Sequence, residues 1–224
     1  MTIWRSFSKI AAVSTLITGI VLTVNPALSQ QAEKDKTSSE QVDQDLLMKP
    51  SPLGDIILGN KDAKVTVVEF SSITCNHCAY FANDVFPKIK EKYIDTNKVQ
   101  YIVRDLGFDT YAFAGYALAR CEGNDKFMHI RDYFFKNYDR LAKAGGDKVA
   151  EEFRDIAFEA GIPKEKFTAC VADKTVFEGL KAVREQAVSL GVSGTPTFFI
   201  NGEKIVGGLS FEEMSRLLDA ALAK

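Results

Sequence analysis

The chain has 224 residues, with 28 basic and 30 acidic side chains and a formal charge of −2. This length is enough for one sizeable domain, or for one domain that carries a large insertion. The mildly acidic balance argues against a nucleic acid partner, because nucleic-acid-binding proteins usually carry a basic surface.

The N-terminus has the parts of a secretory signal peptide. Arg5 and Lys9 form a basic region, residues 10–24 are apolar and uncharged, and small residues precede a cleavage site after Ser29. We predict that residues 1–29 are a cleaved signal peptide. The alternative is a retained membrane anchor, although the apolar run is short for a full span. Export would place the protein in an oxidising compartment, where disulfides persist.

Residues 30–52 are polar and end in two prolines, so we predict a flexible leader. Cleavage after Ser29 removes two basic residues and no acidic one, which changes the formal charge from −2 to −4. One short amphipathic helix could form in the leader and serve in oligomerisation, since three apolar residues have helical spacing: Val42, Leu46 and Leu47.

Two strands and a helix are predicted next. A short edge strand at Asp55–Gly59 precedes an apolar, β-rich strand at Lys64–Phe70. A helix then begins at Cys75, and Pro87 predicts a kink or break within it. The next strand is Val99–Val103, so this β–α–β unit should contain parallel strands and a right-handed crossover.

From about residue 110 the period becomes helical and no strand pattern interrupts it until residue 190. We predict an all-α block whose helical segments lie near 110–122, 124–138, 147–160, 163–173 and 174–190. Its aromatic residues are expected in the core rather than in a binding site: Phe113, Phe127, Phe134, Phe135, Phe153 and Phe158.

The strand pattern returns near the C-terminus. Thr197–Ile200 and Glu203–Val206 are separated by Asn201-Gly202, the two-residue signal for an antiparallel hairpin. Ser210 and Glu213 then form a capping box, which predicts the start of a last amphipathic helix.

The sequence Cys75-Asn76-His77-Cys78 lies where a predicted strand passes into a helix. At that place Cys75 stands at the helix N-terminus, whose free N–H groups and dipole stabilise a thiolate. Cys78 follows one turn later and can form a disulfide with Cys75. His77, if protonated, adds positive charge beside the sulfur. We therefore predict a redox-active dithiol, because the thiolate is the form that exchanges disulfides.

Other uses of the motif fit less well. A zinc site needs two more ligands at close spacing, and Cys121, His129 and Cys170 form no second close pair. Haem attachment requires histidine where this chain has Ala79. A purely structural disulfide in so small a loop would stabilise little.

Two further cysteines, Cys121 and Cys170, lie in the helical block. An even cysteine count in an exported chain suggests a second, structural disulfide. Its loop would contribute roughly 4 kcal/mol in the chain-entropy model. The alternative is two separate buried thiols.

The run Val67-Val68-Glu69-Phe70, the following Cys75–Cys78 motif, the long helical block and the late Thr195-Pro196 together resemble the DsbA family of thioredoxin-fold periplasmic thiol–disulfide oxidoreductases. The resemblance covers residues 53–224. It implies an α/β thioredoxin fold with an all-helical domain inserted between the βαβ and ββα halves. The predicted divisions are 53–109 for the N-terminal half, 110–190 for the insertion and 191–224 for the C-terminal half.

The resemblance implies roles for the motif and for Glu69. Cys75 would be the exposed nucleophile, Cys78 the buried resolving thiol, and Asn76 and His77 would tune the pKa of Cys75. Proline is common in the family at the Asn76 position. Glu69 would be a partly buried carboxylate with a raised pKa that exchanges a proton with Cys78, so that Glu69→Gln would slow exchange without unfolding the protein. The alternative is an outward-facing residue on an edge strand.

Thr195-Pro196 would contain a cis peptide bond beside the active site, and the backbone of Thr195 would pair with an extended substrate. The alternative is an ordinary loop proline before a strand. Threonine before this proline is common in isomerase-like and other members, whereas valine is common in the strongly oxidising ones. The strength of oxidation therefore stays open.

The function implied is that of a soluble, monomeric periplasmic oxidase. It would donate the Cys75–Cys78 disulfide to reduced exported proteins and be reoxidised by a membrane partner of the DsbB type, without a metal or organic cofactor. A disulfide isomerase or reductase is the alternative with the same chemistry. A non-catalytic binding module on a thioredoxin scaffold is an alternative of another class.

Overall fold

The computed structural model describes residues 42–224, which contain one five-stranded sheet. The strand order is β1-β3-β2-β4-β5. The strands are β1 (Ile56–Leu58), β2 (Val65–Ser71), β3 (Val99–Asp105), β4 (Thr197–Ile200) and β5 (Glu203–Val206). Strands β2 and β3 are parallel, as predicted, and the other neighbouring pairs are antiparallel.

Strand β2 lies at the centre of the sheet and is covered on both faces. Val65 and Val67 belong to the core on one face, whereas Val68 and Phe70 belong to a second core on the other. This two-sided burial explains why the strand reads as a nearly continuous apolar run rather than an alternating one. Glu69 lies on the same face as Val67, since successive side chains alternate.

The predicted hairpin between β4 and β5 is confirmed. Asn201 and Gly202 have φ values of 47° and 84°, the left-handed backbone that a two-residue turn of this kind requires. The turn is fixed to the centre of the sheet, because the amide oxygen of Asn201 accepts a hydrogen bond of 2.8 Å from the backbone N–H of Thr66.

Pro87 does not break the helix that follows β2. The chain is helical through α2 (Asn76–Tyr80) and α3 (Phe86–Ile89), with wider π turns at Phe81–Val85 and Lys90–Ile94. A proline lacks an N–H and its ring clashes with the preceding turn. The π turn before Pro87 provides the extra room, so the predicted break is replaced by a local widening.

Six helices lie between β3 and β4, and one follows β5. They are α4 (Thr110–Cys121), α5 (Asn124–Lys136), α6 (Tyr138–Ala144), α7 (Val149–Glu159), α8 (Lys164–Val171), α9 (Lys174–Ser189) and α10 (Phe211–Ala223). The predicted segments missed α6, which is short and has no side-chain N-cap. The capping box at α10 is confirmed, with reciprocal hydrogen bonds between Ser210 and Glu213. This order of strands and helices is that of the predicted thioredoxin fold with a helical insertion.

Most of the aromatic residues predicted for the core are buried. Phe127, Phe134, Phe135 and Phe153 are each at most 3% exposed. Phe113 and Phe158 are only partly buried, and Phe113 lines an open groove in the helical insertion.

Residues 42–52 are packed against the domain, which corrects the prediction that they belong to a flexible leader. They form α1 (Gln44–Met48), whose Leu47 is 1% exposed and lies in the second core. The side chain of Gln186 donates hydrogen bonds to the carbonyl oxygens of Leu46 and Lys49. The apolar side of the predicted helix is thus used within the chain.

The predicted signal peptide, its cleavage site and residues 30–41 of the predicted leader lie outside the described residues. Within residues 42–224, no helix has the length and apolar character needed to cross a membrane.

Candidate active site

Cys75 is the N-cap residue of α2, directly after β2 and a short loop. Its backbone is extended, with φ −99° and ψ 123°, and its sulfur is partly exposed. Cys78 lies one turn into the helix and is fully buried. Both cysteines are thiols in the structure, and Cys75 lies at the helix start as the sequence predicts.

The pKa of Cys75 is lowered to about 5. The largest cause is a hydrogen bond from the thiol of Cys78; the side chain of Thr195 and the backbone N–H groups of Cys78 and His77 add to it. Partial burial acts in the opposite direction but is outweighed. Cys75 is therefore predominantly a thiolate at neutral pH.

The pKa of Cys78 is raised well above that of an ordinary thiol. Burial is the largest cause, and the hydrogen bond and negative charge of the Cys75 thiolate add to it. The charge of Glu69 acts in the same direction, while the backbone N–H of Ser72, 3.5 Å from the Cys78 sulfur, opposes it. The two thiols of one helical turn thus have opposite protonation states.

Thr195 and Pro196 lie beside Cys75, although they are 120 residues away in the chain. The peptide bond between them is cis. The carbonyl oxygen of Thr195 is 3.2 Å from the Cys75 sulfur and accepts a hydrogen bond from its thiol form. The Thr195 side chain has the opposite effect, because it stabilises the thiolate and lowers the pKa.

Asn76 and His77 are exposed at the start of α2. The group of His77 that acts on the Cys75 pKa is its backbone N–H. The predicted contribution of the His77 imidazole therefore stays a prediction. Gly208 follows β5 and packs closely here, since a β-carbon on it would lie 3.5 Å from that of His77.

Glu69 is fully buried in the central strand, so its interpretation as an outward-facing residue on an edge strand is wrong. One terminal nitrogen of Arg131 donates to both carboxylate oxygens, at 2.9 and 3.0 Å. The hydroxyl of Tyr101 donates a third hydrogen bond of 3.0 Å. The carboxylate is thus paired and satisfied beneath the dithiol.

Arg131 is the residue of this region that the sequence reasoning missed. It is fully buried on α5 and comes from the helical insertion. A signal was present, because Phe127, Ile130, Arg131 and Phe134 share one helix face at spacings of three and four residues. A charge on a buried apolar face requires a partner, and Glu69 is the matching charge in β2.

This ion pair adds a stability cost to the predicted effect of Glu69→Gln, which is slower exchange without unfolding of the protein. Neutralising Glu69 alone leaves the buried guanidinium of Arg131 without its counter-ion. Breaking a buried pair in this way typically costs about 3–5 kcal/mol. A change in exchange rate in that variant would be mixed with a loss of stability.

Cys121 and Cys170 form a disulfide between the C-terminal ends of α4 and α8, with their Cα atoms 5.5 Å apart. Both lie in the insertion rather than in the dithiol motif. Among residues 42–224, no group of three or more histidine, cysteine or acidic side chains is placed to hold a metal ion.

Comparisons with known proteins place this geometry in a family. The family model described as Thioredoxin matches residues 51–220. Proteins from Rickettsia bellii and Rickettsia felis, both named "Putative protein-disulfide oxidoreductase", are each 36% identical over 170 residues. The matches cover 75% of this chain but 64% and 60% of the relatives, so the chain spans less than two thirds of their length.

A solved structure is also similar. The crystal structure of alpha-DsbA1 from Wolbachia pipientis superposes with a TM-score of 0.70 at 28% identity, covering 79% of this chain and 94% of that chain. The family match, the sheet order and the dithiol at the start of α2 agree with one another. The chain therefore belongs to the thioredoxin family, and within it to the DsbA-like proteins.

Proposed function

We propose that the protein is a thiol–disulfide oxidoreductase that oxidises reduced exported proteins in the periplasm. The observation that supports this most strongly is the contrast between Cys75, whose pKa is lowered to about 5, and Cys78, whose pKa is raised. The names of the Rickettsia relatives support the same reaction class.

The reaction begins from the oxidised Cys75–Cys78 disulfide. A substrate thiolate attacks the sulfur of Cys75, the more exposed of the two, and forms a mixed disulfide. The bond to Cys78 breaks, and Cys78 leaves as a thiolate that takes up a proton because burial raises its pKa. A buried thiol that holds its proton resolves the mixed disulfide only slowly, which leaves time for the substrate to complete its own bond.

The second step releases the product. A second substrate thiolate attacks the substrate sulfur of the mixed disulfide, and Cys75 departs as a thiolate. Because its pKa is about 5, Cys75 is a good leaving group. The substrate loses two electrons and gains a disulfide, while the protein ends as the dithiol. This protonation pattern favours the oxidase direction.

The surrounding residues have proposed roles in the same cycle. Thr195 and Pro196 guide the extended substrate beside Cys75, and the Thr195 side chain stabilises the departing thiolate. Asn76 and His77 tune the pKa of Cys75 at the surface, while Glu69 exchanges a proton with Cys78. Reoxidation would need a membrane redox partner of the DsbB type. We propose a monomer that needs no other cofactor.

We propose a structural role for the disulfide Cys121–Cys170, which fastens α8 to α4 within the insertion. Disulfides of this kind typically contribute about 2–4 kcal/mol. Cys121→Ala/Cys170→Ala should lower the free energy of unfolding by that amount while Cys75 keeps its low pKa.

An isomerase or reductase is the second candidate, and the observation that favours it is Thr195. In the DsbA family, threonine before the proline is common in isomerase-like and other members, whereas valine is common in strong oxidases. The two candidates differ in their substrate. An oxidase acts on a fully reduced protein, whereas an isomerase rescues a protein with scrambled disulfides.

The experiment uses the purified chain from Gln30 onward, with Cys75→Ser as the control. One multi-disulfide enzyme is supplied either fully reduced or with scrambled disulfides. Rapid loss of thiols in the reduced substrate, with poor rescue of the scrambled one, is the expected result. Efficient rescue of the scrambled substrate by the reduced protein would favour an isomerase. No effect on either substrate would contradict dithiol catalysis and favour a binding module.

A further inference from the structure

An open apolar groove crosses the helical insertion. It has a volume of about 760 Å³ and is walled by α4, α7, α8 and α9. Its aromatic and aliphatic lining includes Phe113, Phe153, Phe167, Phe177 and Leu180. Phe177 is 49% exposed, which is high for so large an apolar side chain. A concave apolar surface of this size suits a large side chain of a bound partner.

The rim of this groove is positive. Arg154, Lys181 and Arg184 line it, whereas its one acidic lining residue is Asp109. The Asp109 carboxylate is already engaged, since it caps α4 and accepts a hydrogen bond of 2.6 Å from Thr74. The rim therefore favours a ligand that carries a carboxylate and disfavours a cationic one.

The contacts that Lys181 and Arg184 make within the chain leave their charges available to a ligand. Lys181 contacts Glu178 at 3.9 Å in an exposed pair, a type that is worth little. Arg184 lies over the ring of Phe108, with its guanidinium carbon 5.8 Å from the ring centre. Phe108 itself is 41% exposed at the groove. An acidic group of a partner could replace solvent at both positions.

The groove adjoins a smaller depression that lies next to the active site. Asp109 and Tyr111 line it and also line a smaller depression of about 240 Å³. That depression includes Thr74, which precedes Cys75, and Tyr138, whose pKa is raised by burial and by the negative charge of Cys75. A chain held at Cys75 can thus extend over Tyr138 and Tyr111 into the groove.

We propose that this groove, with Arg154, Lys181 and Arg184 at its rim, binds a segment of the unfolded substrate chain near its reactive cysteine. The preferred segment combines a large apolar side chain, which enters the groove, with an acidic residue, which faces the rim. This inference rests on the proposed function and adds to it a substrate class that the dithiol itself does not define.

The test uses short reduced peptides that contain two cysteines and an anchor two, four or six residues away on either side. The anchor is Phe-Glu-Phe, Phe-Lys-Phe or Ser-Glu-Ser. At low salt and at the best spacing, we expect the oxidised protein to have a KM for the Phe-Glu-Phe peptide that is at least fivefold lower than for the other two peptides. The advantage over the lysine peptide should shrink as salt rises, because exposed charges are screened.

Two variants challenge the groove itself. Arg154→Glu/Arg184→Glu should reverse the preference between the glutamate and lysine anchors, with the change in KM rather than in kcat. Ala150→Trp should fill the groove and remove the advantage of phenylalanine over serine. The matched control is Lys61→Glu/Lys98→Glu, which makes the same change in net charge at exposed positions. Those lysines precede β2 and β3, at the end of the sheet opposite the active site, and should keep the wild-type preference.

The outcomes separate this inference from the proposed function. Equal KM values for all anchors, unchanged by the charge reversal, would overturn the groove proposal. If every peptide were nevertheless oxidised, the proposed oxidoreductase function would still be supported. Failure to oxidise any peptide would contradict the proposed function itself. If charge reversal instead abolished binding to vesicles of anionic lipid and left the peptide KM values unchanged, the groove would be a membrane contact and the proposal would be wrong.

Discussion

The stability of the reduced protein should depend on pH through Cys75. Its pKa is about 5 in the folded protein, against 9.0 for an ordinary thiol. Folding therefore favours the thiolate, and the resulting stabilisation is complete only above the unfolded pKa. It decreases as the pH falls from 9 toward 5 and is lost below the folded pKa.

The magnitude follows from these two values. Between pH 7 and pH 4, linkage gives a loss of at most about 2.7 kcal/mol relative to a protein without the thiol. The Cys75 sulfur is partly exposed and solvent screens its interactions, so about half of that limit, ~1.3 kcal/mol, is a more realistic expectation. Cys78 adds no pH dependence in this range, because its raised pKa keeps it protonated.

The assay is urea unfolding between pH 4 and pH 8 for the reduced protein and for Cys75→Ser. The carboxylates titrate alike in both, so the difference between the two curves isolates the thiolate. The free energy of unfolding falls by ~2 kcal/mol per molar urea in a protein of this size. From pH 7 to pH 4, the unfolding midpoint of the wild type should therefore fall by about 0.7 M relative to that of Cys75→Ser. Parallel curves, together with a thiolate absorbance that titrates above pH 8, would refute the lowered pKa and the leaving-group argument that rests on it.

Three further substitutions test the contacts around the site and the sheet. Thr195→Val should raise the pKa of Cys75, measured from thiolate absorbance, since hydrogen bonds to a charged group are worth about 1.5–3 kcal/mol. An unchanged titration would show that the Thr195 hydroxyl does not stabilise the thiolate. Arg131→Met should cost about 3–5 kcal/mol in chemical denaturation, and adding Glu69→Gln should recover much of it because the buried charge of Glu69 is then removed together with that of its partner. Equal losses in the single and double variants would argue against the pair. Leu47→Ala should cost about 2–5 kcal/mol, whereas a free leader would lose almost nothing.

The features that the sequence predicted correctly are encoded locally. The hairpin needs two adjacent residues that accept a positive φ, and Asn201-Gly202 provides them. The start of α10 needs two side chains three residues apart, Ser210 and Glu213. The position of Cys75 at a helix start follows from one change of period, from strand to helix.

The features that the sequence left out depend on distant contacts. The partner of Glu69 is 62 residues away in another element, and no local pattern specifies that pairing. The same holds for α1, whose Leu47 packs on the sheet only because strand and helix surfaces elsewhere form a second core. A short helix such as this is marginal alone, so tertiary packing decides whether it forms.

The ion pair between Glu69 and Arg131 joins the thioredoxin half to the helical insertion beneath the dithiol. In the proposed cycle Cys78 keeps its proton after the disulfide opens, and its burial, together with the negative charge of Glu69, favours that. A bare buried carboxylate would be too costly for a stable fold, so its charge needs a fixed counter-ion. Arg131 supplies it from α5, and the hydroxyl of Tyr101 on β3 donates a further hydrogen bond. The helical insertion thus supplies the counter-ion of the buried carboxylate whose charge helps to raise the pKa of Cys78.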